Sequence, residues 1–192
     1  MIDGTAHDPG GRVRLRLLPG VQGDAEFSDH EHRQLMRRWI GDSFPARYIL
    51  FIGMNPSTAD ASVNDPTCAR EWIFAQREGY SGIAKGNVGD YRATDPKMLL
   101  APGVVAVSDA NLPSLRKAAA RADRVVLCHG KLNKALAPAG KAVVEALKAD
   151  GVDLWCFGTN ADGSPKHPLY LRADTPLVRF TGHSTNAVSS RP

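Results

Sequence analysis

The stretch Tyr48-Ile49-Leu50-Phe51-Ile52-Gly53-Met54-Asn55-Pro56-Ser57 decides the fold of this chain. Its leading residues are apolar without alternation, which is typical of a strand covered on both faces, as in parallel sheets. The following residues end the strand, because glycine lets the backbone approach a ligand closely and proline stiffens a turn. The stretch therefore predicts an interior strand followed by a polar loop in which Asn55 has a defined orientation.

Segments of the same kind follow along the chain. Apolar runs predict further strands at 82–88, 124–128 and 153–157. Helical spacing and helix-starting residues predict helices at 67–79, 115–122 and 139–149. Strands alternating with helices indicate an α/β fold with a mostly parallel sheet. Because ligands collect beyond the carboxyl ends of such strands, the loops that follow the strands are where we expect a site.

The part that precedes this region is less regular. Arg12 to Leu17 alternates and predicts a half-buried strand, whereas residues 31–40 carry apolar side chains at helical spacing, with a short strand as the alternative. We expect a partly flexible extension at 1–30, a single α/β domain at 31–182 and a flexible tail at 183–192.

Composition excludes several classes of protein. The chain has 192 residues, a formal charge of +4 and 43% hydrophobic residues, so it can build a core without disulfides or a structural metal. No run approaches about eighteen apolar residues, and the first residues lack the apolar core of a secretory signal, so we expect a cytoplasmic protein with no membrane partner. The charge surplus is compatible with a nucleic-acid partner but is equally common among other enzymes.

The predicted loops contain several candidate functional residues. Asn55 and Ser57 directly follow the buried strand, and we favour a functional role for Asn55, whereas Asp60 and Asp65 are explained as turn and helix caps. Candidates in the later loops are Asn87, Arg92, which can hold a phosphate or pair with a nearby aspartate, and His167, which can serve as an acid or base near neutral pH. A lone histidine is more often a structural hydrogen-bonding group, but its position beyond the last strand favours function.

Motifs for other chemistries do not occur. The sequence has no GxGxxG after the first strand, no GxxxxGK[ST] and no GxSxG. A metal-dependent hydrolase would have to use Asp60, Asp65, Asp90 and His167, whose spacing follows no recognised ligand pattern. The three cysteines cannot supply the four ligands of an iron–sulfur cluster. We therefore predict no metal and no cofactor.

Four motifs occur in a fixed order and carry a resemblance. They are GMNPSTAD at 53–60, NDPT at 64–67, RATDP at 92–96 and HPLY at 167–170. Together they resemble the bacterial and phage family called domain of unknown function 1643, over roughly Arg47 to Phe180. The family name assigns no activity.

The same order of motifs is distantly similar to the uracil-DNA glycosylase superfamily, especially its mismatch-specific branch. This resemblance implies a three-layer α/β/α sandwich with a central four-stranded parallel sheet. It also implies that Asn55 positions the attacking water, that Asn87 hydrogen-bonds the base edge and that His167 stabilises the departing base anion. Leu169 falls near the residue that wedges into the duplex. The substrate-binding set that follows is Gly53, Met54, Pro56, Ser57, Asn87, Arg92, Leu169 and Tyr170.

The sequence departs from the glycosylase pattern at three points. The first motif has Asn55 where the most active members carry an acidic residue, Tyr170 replaces a small or polar residue, and residues 58–67 form an insert. The leading hypothesis is hydrolysis of an N-glycosidic bond, on a nucleobase in DNA or on a nucleotide. A non-catalytic binder of nucleic acid or modified bases and an enzyme on free nucleotides are the alternatives.

Overall fold

The computed structural model describes residues 13–182, which contain nine strands and three α-helices. Two short 3₁₀ turns lie at Pro96–Leu100 and Pro168–Tyr170. The strands are β1 Leu15–Arg16, β2 Val21–Phe27, β3 Arg33–Ile40, β4 Ile49–Gly53, β5 Val63–Asn64, β6 Gly82–Asn87, β7 Arg124–Leu127, β8 Leu154–Cys156 and β9 Val178–Arg179. The helices are α1 Pro66–Arg77, α2 Asn111–Ala119 and α3 Ala137–Ala149.

The main sheet has seven strands in the order β2-β3-β6-β4-β7-β8-β9. Neighbours from β6 to β8 pair in parallel, whereas β2, β3 and β9 join by antiparallel pairing. The α/β class is confirmed, but the sheet is mixed and larger than the four strands expected. The added strands come from the N-terminal region and the chain end, which the helix-strand alternation does not cover.

Apolar residues of β4 pack against helices on both faces of the sheet. Leu50 and Ile52 share a core with Leu115 of α2 and Leu147 of α3, whereas Phe51 packs with Phe74 of α1 on the other face. Burying a side chain of this size contributes about 1.5–3 kcal/mol. The unbroken apolar run at 48–52 therefore follows from burial of both faces.

Residues 33–40 form strand β3, so the strand given as the alternative is confirmed and the helix is wrong. Leu35 and Met36 lie in different cores, as consecutive strand residues do. Arg33 and Arg38 are also buried, and their guanidinium groups donate to the 59–64 segment: Arg33 to the Ala59 carbonyl, and Arg38 to Asn64 Oδ1 at 2.9 Å. These long-range acceptors make burial of two arginines in a strand tolerable.

The region expected to be a partly flexible extension contributes two strands. β1 pairs with β5 in a separate two-stranded sheet, and β2 is an edge strand of the main sheet. The strand expected at 12–17 thus covers only Leu15 and Arg16. The tail at 183–192 lies outside the described residues. Within residues 13–182, no helix is long and apolar enough to cross a membrane.

Candidate active site

The floor of the candidate site is formed where β4 and β6 end side by side. Gly53 is paired with Asn87 in the parallel register. A Cβ at Gly53 would lie 2.7 Å from Asn87 Oδ1 and 3.3 Å from Lys85 Nζ. Only glycine lets the backbone approach these two side chains so closely. The lack of a side chain at Gly53 therefore allows the Asn87 amide and the Lys85 ammonium group to pack against the backbone at the same position.

Asn87 is buried without side-chain hydrogen bonds. Its side chain is 1% exposed, and among the described residues neither Oδ1 nor Nδ2 has a hydrogen-bond partner. Its backbone carbonyl accepts from Asn111 Nδ2 at 3.1 Å, which fixes the end of β6. A buried amide left in this state costs about 1–3 kcal/mol for each unpaired group. The structure thus keeps one donor and one acceptor unused at the carboxyl edge of the sheet.

Lys85 and Glu71 form a buried ion pair beside Asn87. Lys85 Nζ lies 2.5 Å from Glu71 Oε1 and 2.7 Å from Oε2, and both side chains are almost fully buried. Burial alone would lower the pKa of Lys85, but the Glu71 carboxylate offsets this and raises it above the ordinary value. Lys85 therefore stays positively charged. It provides a fixed cation on the α1 side of the sheet.

Cys128 completes this buried cluster. Its Sγ lies 3.5 Å from Glu71 Oε1 and 3.5 Å from the Ile52 carbonyl oxygen. Burial raises the pKa of the Cys128 thiol well above its ordinary value, and the Glu71 charge adds to the shift. The thiol therefore keeps its proton and acts as a donor in the cluster, since only the thiolate is a good nucleophile.

His167 lies beyond the last parallel strand, on a segment that packs against α1. Its Nδ1 accepts from the Leu169 backbone N–H at 3.4 Å. Burial and, to a lesser extent, the Lys85 charge lower the pKa of His167 to about 4, against an opposing effect of Asp65. The imidazole is therefore neutral at physiological pH. Because Nδ1 is the acceptor, the proton of the neutral ring lies on Nε2, which is a hydrogen-bond donor.

Asp65 caps α1, and its negative charge acts on His167. Its Oδ1 accepts from the Cys68 backbone N–H at 2.8 Å. Burial would raise the pKa of Asp65, but the Lys85 charge and the Cys68 hydrogen bond hold it below the ordinary value. The predicted role as a helix cap is confirmed, and the carboxylate is ionised as well.

Asn55, Ser57 and Arg92 join the loop after β4 to the loop after β6. Asn55 Nδ2 donates to the Ala93 carbonyl at 2.6 Å, and Ser57 Oγ lies 3.1 Å from Thr94 Oγ1. The buried Arg92 guanidinium donates from Nη2 to the Thr58 carbonyl at 3.5 Å and lies over the Phe27 ring at 5.6 Å. These contacts fix the two loops against each other. The amide orientation of Asn55 is set by a backbone carbonyl.

The remaining predicted residues differ in exposure. Met54 packs against the core on the α2 and α3 face, and Pro56 is buried in the turn. Leu169 is half-buried, whereas Tyr170 is 87% exposed with its ring 6.5 Å from that of His167. An aromatic side chain of this exposure beside a buried polar cluster is available to contact a ligand.

Sequence reasoning missed Lys85 and Glu71, although both leave a signal. Lys85 is a charged residue inside an otherwise apolar or small strand, GIAKGN. Glu71 lies on the same helical face as Cys68 and Ala75, which are both buried. A lysine and a glutamate that each occupy a core position of neighbouring elements indicate a buried pair.

The carboxylates considered for a metal have other partners. Asp60 Oδ1 accepts from the backbone N–H groups of Ser62 and Val63, and Asp90 accepts from Ser108 and Gln34. Among residues 13–182, no group of three or more histidine, cysteine, aspartate or glutamate side chains could hold a metal ion.

Fold and site together define an α/β protein with a buried polar centre at the carboxyl edge of its parallel strands. The sequence model of the family described as "Protein of unknown function (DUF1643)" matches residues 33–169, which is more than half of the chain. The chain therefore belongs to this family. No curated protein and no solved structure matches it.

Proposed function

We propose that the protein hydrolyses the N-glycosidic bond of a nucleobase, in DNA or in a nucleotide, with the base edge held by Asn87. The unused amide of Asn87 carries this proposal. An asparagine side chain offers a donor next to an acceptor, and the pairing edges of nucleobases present the complementary groups. Binding of a base would turn a costly unpaired amide into two hydrogen bonds.

His167 and Lys85 can stabilise the negative charge that develops on the base when the N-glycosidic bond breaks. The bond between the sugar C1′ and the base nitrogen breaks, and its electron pair leaves with the base. The neutral His167 can donate from Nε2 to a base oxygen, and the fixed Lys85 cation favours negative charge nearby. The water oxygen bonds to C1′, and a water proton ends on the departing base.

Asn55 and Asp65 are proposed to act on the water. Because the Ala93 carbonyl holds the Asn55 amide, that side chain can orient a water molecule without reorganising. Asp65 is ionised and can accept a proton from the water during attack, and this proton then passes to the departing base. In this proposal Asp65 supplies the acidic group that is missing from the first motif, where Asn55 stands.

The sheet and the exposed tyrosine support a glycosylase-like protein acting on DNA. The parallel order β6-β4-β7-β8, with α1 on one face and α2 and α3 on the other, supports likeness to the uracil-DNA glycosylase sandwich. Tyr170 is exposed beside His167, where an aromatic ring can stack on a neighbouring base. We therefore favour a base in a polynucleotide over a free nucleotide.

The test is release of free base from defined oligonucleotides. Duplex and single-stranded DNA containing uracil, mismatched thymine or hypermodified pyrimidines is incubated with the protein, and free base is detected by mass spectrometry. We expect release of one base class, reduced about 10²–10³-fold by Asn87→Ala and by His167→Ala. Asn160→Ala, which alters a surface amide, is the matched control.

Two results would contradict the assignment. Release that survives Asn87→Ala at the wild-type rate excludes this amide as the base contact. Tight, base-selective binding of an oligonucleotide without release of any base identifies a non-catalytic binder in place of a hydrolase.

A further inference from the structure

A cleft lies beside α3, on the opposite face of the sheet from α1 and the Lys85–Glu71 pair. It has a volume of about 590 Å³, within the range of small-molecule sites. α3, the loop after β7 and the 162–165 segment enclose it. Its apolar lining residues are Leu132, Ala137, Gly140, Val144, Pro165 and Phe180. The cleft therefore offers an apolar floor large enough for a ring system.

His129 supplies an unused acceptor in this cleft. It lines the cleft and is 7% exposed. Its Nδ1 lies 2.7 Å from the Gly130 carbonyl oxygen, so Nδ1 carries the proton and Nε2 carries the lone pair. Burial lowers the pKa of His129, which keeps the ring neutral. Among residues 13–182, none hydrogen-bonds to His129 Nε2.

Three lysines and two acids line the cleft, which leaves a surplus of one positive charge. The lysines are Lys131, Lys141 and Lys148, and the acids are Glu145 and Asp162. Lys131 Nζ is 3.9 Å from Asp162 Oδ2 and Lys141 Nζ is 3.7 Å from Glu145 Oε1, and both lysines are mostly exposed. Such exposed pairs are weak and leave the ammonium groups available to an anion. The first turn of α3 starts at the cleft and contains no acidic residue, which favours an anion further.

We propose that this cleft binds a nucleoside monophosphate. The base would lie on the apolar floor, a sugar hydroxyl or base N–H would donate to His129 Nε2, and the phosphate would lie between the lysines. A nucleotide combines a planar body, a donor and an anion in one molecule of the right size. None of the residues that line this cleft belongs to the proposed glycosidic site, and the proposal does not rest on the glycosidic activity.

The test uses the full chain, with thymidine and adenosine monophosphates as ligands in isothermal titration calorimetry. Lys141→Glu combined with Lys148→Glu reverses two exposed charges, and we expect it to weaken binding at least about tenfold. His129→Phe removes the acceptor and is expected to weaken binding as well. Lys97→Glu, on the exposed 3₁₀ turn outside the cleft, is the control and should bind as the wild type does.

Comparison ligands distinguish the parts of the proposal. Nucleosides and inorganic phosphate should each bind far more weakly than the nucleotide, because each satisfies only one end of the cleft. The NMR signals of the His129 ring should shift on nucleotide binding in the wild type and in Asn87→Ala alike. Absence of millimolar binding, or binding abolished by Asn87→Ala and unaffected by the lysine reversals, would overturn the proposal.

Discussion

The Lys85 ammonium group is tolerated inside the sheet because Glu71 compensates its charge at 2.5 and 2.7 Å. Replacing one partner leaves the other charge buried and uncompensated. We therefore expect Lys85→Met or Glu71→Met to lower the free energy of unfolding by about 3–5 kcal/mol. The double replacement Lys85→Met with Glu71→Met should cost less than the two single changes together, since no charge remains.

Urea denaturation of the four proteins measures this coupling. Arg116→Ala, which breaks the exposed Arg116–Asp150 pair, is the control and should change stability little. Additive effects of the Lys85 and Glu71 replacements would show that the two side chains do not act as a pair.

His167 gives the stability of the protein a defined pH dependence. Its folded-state pKa of about 4 lies below the ordinary value of 6.5, so the unfolded chain binds this proton more readily. The stability contributed by the neutral ring is therefore complete above pH 6.5 and is lost as the pH falls through 4. The advantage of wild type over His167→Asn in free energy of unfolding should shrink over this interval. An NMR titration of the ring should have its midpoint near 4, and a midpoint near 6.5 contradicts the burial argument.

At the scale of one element, Asp65 combines a structural and a chemical task at the start of α1. Asp65→Ala removes the cap of the Cys68 N–H and should destabilise the protein by about 0.5–2 kcal/mol. Asp65→Asn keeps a good capping side chain but loses the charge, so its loss of stability should be smaller. Thermal unfolding measures both. If Asp65 also accepts the water proton, Asp65→Asn should lose base release nearly as completely as Asp65→Ala.

At the scale of the whole molecule, Arg38 connects β3, which pairs with β2, to the 54–65 loop that leads to the site. Its Nη2 donates to the Val63 carbonyl at 2.8 Å and its Nε to Asn64 Oδ1 at 2.9 Å. Arg38→Met should leave these acceptors unpaired and loosen the 54–65 loop. Limited proteolysis should then cut within this loop faster than in the wild type, while Arg121→Met, at an exposed position after α2, serves as the surface comparison. Equal cleavage rates would show that Arg38 does not hold the loop.

The parallel part of the fold could be predicted because its signals are local. Residues 48–52 are apolar throughout, and α1 has a cap and a proline at its start within three residues of sequence. β3 could not be predicted in the same way, because the acceptors that make burial of Arg33 and Arg38 tolerable lie more than twenty residues away. Local spacing then favoured a helix.

The candidate site likewise has residues that local sequence predicts and features that depend on tertiary packing. Asn87 ends β6 and His167 lies in the loop after β8, so the rule for strand ends was enough to select them. Their environment depends on Lys85 and Glu71, which meet only through packing of α1 on β6. No local sequence pattern predicts that the Asn87 side chain lacks hydrogen-bond partners among the described residues. The chemical character of the site is therefore a property of the tertiary structure.

The three buried cysteines can report how fast the folded chain opens, because each thiol reacts only after it is exposed. Cys128 lies under α1 and Cys156 under the α2 and α3 face, while Cys68 contacts a third cluster beside β3. Since burial also raises the pKa of each thiol, none reacts readily while its layer stays closed. Thiol labelling followed by peptide mass spectrometry thus measures the opening of α1 at Cys68 and Cys128 and the opening of the α2 and α3 face at Cys156. A chain that opens all at once would modify the three sulfur atoms at one common rate.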